Sequence, residues 1–263
     1  MTDAARGQVA ASAAEVYDEV FVPALFAQWA DPVLDAAGVT AGDTVLDVGC
    51  GTGVVARAAA RRVGGGVVGL DRNDGMLAVA ARAPEPVVWR HGVAEALPFD
   101  DGSFDRVVCQ FAVMFFDDRG QALREIARVL RPGGTIAIAT WAAVDASPGY
   151  AALVRLLRAA VGDDAADALM APFSLGTAGL VSSIVGDVFP DVTVARHDGT
   201  ARFDSIAAWL HADIRGWTLA ESIDDSTYAR LVEQAQRALA RYTDDQGRVR
   251  FSAPALIASA SRP

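Results

Sequence analysis

Apolar and polar positions along the chain fall into two alternating rhythms. Short apolar runs that close on a polar residue read as buried parallel strands. Longer stretches whose apolar positions recur every three or four residues read as amphipathic helices. The first rhythm predicts strands over 44–48, 67–70 (closing on Asp71), 87–91, 105–110 and 135–141. The second predicts helices over 53–62, 75–82 and 118–130, the last with Ala122, Leu123, Ile126, Ala127 and Leu130 on one face. Gly64-Gly65-Gly66, Pro84 and Arg131-Pro132-Gly133-Gly134 punctuate the ends of these helices. Strands alternating with helices imply a parallel sheet joined by right-handed crossovers.

The flanks are more helical. Residues 12–37 carry the apolar series Val16, Val20, Phe21, Leu25, Phe26 and Trp29, with Pro23 and Pro32 expected to break it into pieces. Such a segment either packs on the sheet edge or lies over a ligand as a lid, and Tyr17, Phe21 and Trp29 are its candidate substrate contacts. The expected division is an N-terminal helical segment over 1–37, a Rossmann-like core over 38–146 and a helical insertion over 147–191. Strand six follows over 192–203, a helical cap over 204–243, and a C-terminal strand completing the sheet over 244–263. The fold class is therefore α/β, a Rossmann-like seven-stranded, mostly parallel sheet with flanking helices and a helical cap inserted after strands five and six.

The densest chemical signal is Val45-Leu46-Asp47-Val48-Gly49-Cys50-Gly51-Thr52-Gly53. An apolar strand runs into an acid, then three glycines at alternate positions, then a helix start. Such a turn lets a ligand approach the backbone and the free N–H groups of a helix N-terminus. Asp71, at the end of strand two, can accept both hydroxyls of a ribose. The spacing alone admits a dinucleotide enzyme, because Gly51-Thr52-Gly53-Val54-Val55-Ala56 satisfies G-x-G-x-x-G/A and Asp71 lies 20 residues after Gly51. Asp47 argues the other way: a fixed negative charge beside the turn disfavours a pyrophosphate and suits an amino or cationic group.

Composition narrows the partners. With 33 Asp plus Glu against 23 Lys plus Arg, the net charge of −10 argues against a nucleic-acid binder. No apolar run reaches the length of a membrane span. The two cysteines, Cys50 and Cys109, fall inside predicted core elements, which fits reduced thiols and a cytoplasmic setting. Two cysteines do not make a zinc site, and no metal is expected.

Four segments together resemble the class I S-adenosylmethionine-dependent methyltransferases, in particular the small-molecule group of ubiquinone and menaquinone C-methyltransferases (methyltransferase type 11-like). They are Val45–Gly53, Gly69-Leu70-Asp71-Arg72-Asn73-Asp74-Gly75-Met76-Leu77, the stretch over 94–105, and the helix with its Arg-Pro-Gly-Gly turn over 122–134. The resemblance covers residues 36–141. It implies strand order 3-2-1-4-5-7-6 with strand seven antiparallel, and S-adenosyl-L-methionine as cofactor. It also implies that Asp71 holds the ribose, that Gly49, Cys50, Gly51, Thr52 and Gly53 shape the methionine side with Asp47 orienting it, and that Arg72 and Met76 flank the adenine. Gln110 and Phe111 fall where the family contacts the methionine portion. Val93 stands where relatives carry an adenine-binding Asp; Ala94 offers a backbone N–H there and Glu95 is the substitute acceptor. The amino-methylating Asn/Asp-Pro-Pro-aromatic signature is absent, since Gln110-Phe111-Ala112-Val113 stands in its place.

The expected reaction is in-line methyl transfer to a small apolar or aromatic metabolite. An NAD(P)-dependent oxidoreductase and a non-catalytic S-adenosylmethionine-binding regulator are the alternatives. A base is useful only where the acceptor must lose a proton. Of His91, His197 and His211, the last is the candidate base, because its helix is expected to cover the substrate. Phe115, Trp209, Arg215 and Trp217 complete the candidate substrate contacts, and Asp117 and Asp118 are expected to cap the following helix.

Overall fold

The computed structural model describes residues 14–216, 219 and 223–263. Among them, seven strands form one sheet: β1 (Val45–Val48), β2 (Val67–Asp71), β3 (Val87–His91), β4 (Phe104–Gln110), β5 (Leu130–Trp141), β6 (Thr193–His197) and β9 (Ala255–Ser261). Their order is β3-β2-β1-β4-β5-β9-β6. β9 runs antiparallel to both neighbours and the remaining pairs are parallel. This is the expected seven-stranded order, with β9 in the place of strand seven.

β1 is buried along its whole length, including Asp47, which explains why its apolar residues run together instead of alternating. Helix Val54–Val63 crosses from β1 to β2, Asp74–Ala80 from β2 to β3, and Arg119–Val129 from β4 to β5. Asn73 caps the second of these by accepting from the N–H groups of Gly75 and Met76, and Asp118 caps the third by accepting from Gln121 N–H. β5 begins earlier than the glycine turn suggests: Leu130 pairs with Phe104, and the register then slips so that Arg106 faces Thr135.

Two predicted strands are each divided. The stretch over 192–203 splits into β6 and β7 (Thr200–Phe203), and the C-terminal strand splits into β8 (Val249–Ser252) and β9. β7 and β8 pair antiparallel as a separate two-stranded sheet. Asp198-Gly199 and Ala253-Pro254 redirect the chain. A Cβ on Gly199 would lie 2.1 Å from Trp29, so the turn presses directly on that indole, and Pro254 has no N–H to extend a ladder.

Nor does the N-terminal segment break at its prolines. Tyr17–Phe26 is a π-helix with Pro23 inside, closed by Ala27 N–H on the Val22 carbonyl. The wider turn accommodates a residue that an α-helix would reject. Pro32 falls in the first turn of helix Ala30–Ala36, where an N–H needs no partner. That helix packs on Val54–Val63 and on the sheet, while the π-helix packs against β7. Helices Pro148–Ala160 and Asp163–Met170 pack on each other, and Ala178–Gly186 lies on β6 and β9. No single helix among the described residues is long and apolar enough to cross a membrane.

Candidate active site

A cleft of about 960 Å³, open mouth included, lies at the C-terminal ends of the central strands. The parallel strands direct their ends there, and the order reverses between β1 and β4, which is where such sheets bind ligands. Two walls of different chemistry meet in it.

The polar wall is built on the β1 and β2 turns. Asp71 accepts from Gly51 N–H through Oδ2 and from Asn73 N–H through Oδ1, both at 2.8 Å. Burial pushes its carboxyl up, and the same two N–H groups pull it down. Gly51 has φ +54°, and a Cβ there would meet only Tyr17 Cε1, at 3.9 Å, so its bare side faces open cleft. Gly53 (φ +86°) differs: a Cβ would strike the Trp89 indole at 2.3 Å. That glycine serves packing and does not line the cleft, contrary to expectation.

Asp47, Cys50 and Thr52 also lie behind the wall. Asp47 is buried. Its Oδ2 accepts from Ala56 N–H at 3.0 Å and its Oδ1 has no hydrogen-bond partner. Burial pushes this carboxyl up to about 7, with the Ala56 N–H opposing and the Asp71 charge reinforcing. Burial, with the charges of Asp47 and Asp71, also raises the Cys50 thiol, which marks it as an inert core group.

Arg72, Met76, Val93, Ala94 and Glu95 line the cleft together with Gly49, Asp71 and Asn73. Glu95 Oε1 accepts from the N–H groups of Asp117 and Asp118, at 2.8 and 3.2 Å. It thereby fixes the loop after β4. Arg72 faces Asp117 at 3.5 Å.

The second wall is aromatic: Tyr17, Phe26, Phe111, Phe115, Phe116 and Trp141, with Pro172. Tyr17 reaches both walls, because its Cε1 lies beside Gly51 and its ring stacks on Phe26 at 5.1 Å. Burial first, then the charges of Asp71, Asp18 and Asp47, hold its phenol well above the usual range. Gln110 also lines the cleft, and its Nε2 donates to the Phe26 carbonyl at 3.3 Å.

Several expected substrate contacts are elsewhere. His211 is exposed and off the cleft wall, so the geometry gives it no proton to take there. Trp209 is fully buried and packs against Tyr150, Phe203 and Phe251 as a core aromatic. Phe21 and Trp29, within the N-terminal segment, are buried and do not line the cleft. Arg215 binds the Ile223 carbonyl and Asp225 and lies over Tyr228, tying the cap to itself. Trp217 lies outside the described residues. His91 pairs with Asp74 at 2.7 Å on the surface. Of the expected substrate contacts, Tyr17 and Phe115 line the cleft.

Phe26, Asn73, Trp141 and Pro172 are wall residues that sequence reasoning did not select. Asn73 and Trp141 were accessible to it, since Asn73 caps the helix two residues after β2 and Trp141 ends β5. Phe26 and Pro172 come from segments that only tertiary packing brings over the sheet.

A family profile described as a methyltransferase domain matches residues 46–138. The matched stretch supplies the whole polar wall from Gly49 to Glu95, together with Gln110 through Phe116. The chain is 39% identical over 142 residues to the 2-phytyl-1,4-naphtoquinone methyltransferase of Synechocystis, spanning 50% of this chain and 60% of that protein. It is 41% identical over 118 residues to the ubiquinone/menaquinone biosynthesis C-methyltransferase UbiE of Hahella chejuensis, spanning 42% and 47%. The matches thus extend over roughly half of each curated relative. Among solved structures, the phosphoethanolamine N-methyltransferase 2 of Haemonchus contortus, in complex with S-adenosyl-L-methionine, aligns with TM-score 0.60 at 19% identity. The alignment covers 97% of this chain and 58% of that one. That likeness shows the fold.

Proposed function

We propose that this protein transfers a methyl group from S-adenosyl-L-methionine to a small aromatic or apolar metabolite. The observation that carries the reading is one continuous cleft joining the glycine turn and Asp71 to an aromatic wall. The residues present fit the cofactor. Gly51 leaves a bare cradle, Asp71 keeps lone pairs beyond the two it gives to backbone N–H groups, and Asp47 Oδ1 is a buried acceptor still lacking a donor. Asp71 would hold the ribose hydroxyls. Gly49, Gly51 and the start of helix Val54–Val63 would hold the methionine portion, with Asp47 behind them. Arg72, Met76, Val93 and Ala94 would enclose the adenine.

The bound cofactor supplies an activated methyl group; the protein supplies alignment and exclusion of water. Tyr17 closes the cleft and keeps its proton, so it can donate a hydrogen bond to an acceptor but not deprotonate one. Asp71 and Glu95 each hold two backbone N–H groups, and Asp47 is sealed behind the wall. An acceptor that is already nucleophilic suits such a site.

The relatives named for naphthoquinone and menaquinone substrates, together with the aromatic wall, support a ring-containing acceptor. An NAD(P)-linked oxidoreductase fits less well, because a pyrophosphate at the turn would approach the buried Asp47. A purely binding protein fits less well, because the cleft continues past the glycine turn to the aromatic wall. Calorimetry with S-adenosylhomocysteine, S-adenosylmethionine and NADH tests the reading. Binding of the first two and not the third is expected, and tight NADH binding alone would overturn it.

A further inference from the structure

The sheet order β3-β2-β1 sets Asp71, at the end of β2, between two loops. The glycine turn after β1 lies on one side of it. Gly92, Val93, Ala94 and Glu95, which follow β3, lie on the other, and Gly92 N–H ties that loop to β2 by donating to the Asp71 carbonyl at 3.1 Å. With a ribose on Asp71 and a methionine portion on the glycine turn, the base of the cofactor falls against this second loop. That placement rests on the cofactor reading given above.

An amino group on a base is recognised by an acceptor set at its edge. At this end of the cleft, three lining side chains carry an acceptor oxygen, Asp71, Asn73 and Glu95, and each already holds the wall together. Asp71 takes the N–H groups of Gly51 and Asn73. Asn73 Oδ1 accepts from the N–H groups of Gly75 and Met76, at 2.9 and 3.2 Å. Glu95 Oε1 accepts from those of Asp117 and Asp118, so turning this carboxylate onto a base would release the loop after β4. Arg72 also lines this end, but a guanidinium donates and does not accept, and it faces Asp117.

Val93 is the side chain left open to the base. It is 38% exposed, and of the large apolar side chains that stand so far open among the described residues, Val88, Val93 and Leu180, it is the one that lines the cleft. Its isopropyl group offers contact area and accepts nothing. Met76 adds a second apolar surface at the same end. Apolar burial is non-directional, so it holds any purine to a similar extent whatever stands at its edge.

We infer that Val93 relaxes the specificity of the base end: the protein holds the purine of its cofactor by apolar contact and does not read the 6-amino group. A donor without that group is held nearly as well as the adenosyl form.

The probe is the 6-deamino analogue of S-adenosylhomocysteine, in which hydrogen replaces the amino group and the ring nitrogens are unchanged. Calorimetry on the full chain compares it with S-adenosylhomocysteine itself. Because a hydrogen bond to a charged acceptor is worth about tenfold or more in affinity, the wild-type protein, lacking one, should bind the two within about fivefold. Val93→Asp places a carboxylate of similar shape at that position and should raise the preference for S-adenosylhomocysteine by at least about tenfold. Should Val93→Asp fail to melt cooperatively, Val93→Asn takes its place, and its neutral amide oxygen should raise the preference by about threefold or more. A wild-type preference beyond about fivefold overturns the inference, and its loss in Glu95→Gln would make Glu95 the reader of the amino group. A folded Val93→Asp protein that gains no preference overturns it as well, because the side chain then does not meet the base. A wild-type protein that binds neither compound defeats the cofactor assignment itself, and this inference with it.

Discussion

Replacing Asp71 separates its two tasks. In the ligand-free protein each carboxylate oxygen holds one backbone N–H at 2.8 Å, clasping Gly51 to Asn73. About two further lone-pair positions remain for a ligand's hydroxyls. A hydrogen bond to a charged group contributes about 1.5–3 kcal/mol. Losing one such bond to the ribose weakens binding roughly tenfold or more, and losing two multiplies the effect. Asp71→Ala is therefore expected to reduce S-adenosylhomocysteine affinity at least about tenfold. The same change leaves the Gly51 and Asn73 N–H groups without their acceptor, so some affinity loss could come from a loosened turn. Asp71→Asn discriminates. It keeps one acceptor oxygen and the side-chain volume, but sets an amide NH₂ against one of the backbone donors. If ribose binding dominates, both variants lose affinity by similar factors while their melting temperatures differ. Calorimetry for affinity, with thermal unfolding of the free proteins, reads both quantities. A folded Asp71→Ala protein with wild-type affinity would refute the assignment.

The two glycines of the turn should respond differently to a methyl group. Gly53→Ala meets Trp89 and a left-handed backbone, the latter alone costing about 1–2 kcal/mol, so thermal unfolding should show a clear loss of stability. Gly51→Ala, with open cleft around its missing Cβ, should chiefly weaken S-adenosylhomocysteine binding by calorimetry. Trp209→Ala should destabilise the fold by about 3–5 kcal/mol in denaturant titration, as expected for a buried aromatic, whereas exposed His211→Ala should leave turnover within about twofold of wild type. Buried Asp213, which accepts from the Tyr150 hydroxyl at 3.4 Å and is pushed up to about 8 by burial, is protonated in the folded protein at neutral pH. The unfolded chain releases that proton above about pH 4, so this residue lowers stability progressively as pH rises from about 4 towards 8. Asp213→Asn removes that dependence, and its melting-temperature gain over wild type should grow between pH 5 and pH 8; a constant difference would refute the role.

The central strands, the glycine turn, Asp71 and the β4 exit were legible in the chain, because each is a local pattern, whereas the order of the strands came from the family resemblance. An apolar run closes on an acid, glycines occupy left-handed positions, and a capping Asn or Asp precedes a helix. Asp47 and Gly53 were legible as parts of the motif but not in their placement. One is sealed behind the turn and the other is pressed on Trp89, and only the neighbouring strand decides such contacts. The same holds for the histidine and the cap aromatics. Helical spacing gave Trp209 and His211 a face each, but which face meets the cleft depends on how the cap packs on the sheet.

The sequence by itself determined the alternating strands and helices of an α/β sheet and the polar half of its cleft, since those features are written within a few residues of one another. The aromatic half was decided only by tertiary structure. Phe26 comes from the π-helical segment, Phe111 from β4, Trp141 from β5 and Pro172 from the helical insertion. Residues so far apart in the chain share a wall because the sheet aligns its strand ends and the lid folds across them. No local periodicity encodes that meeting.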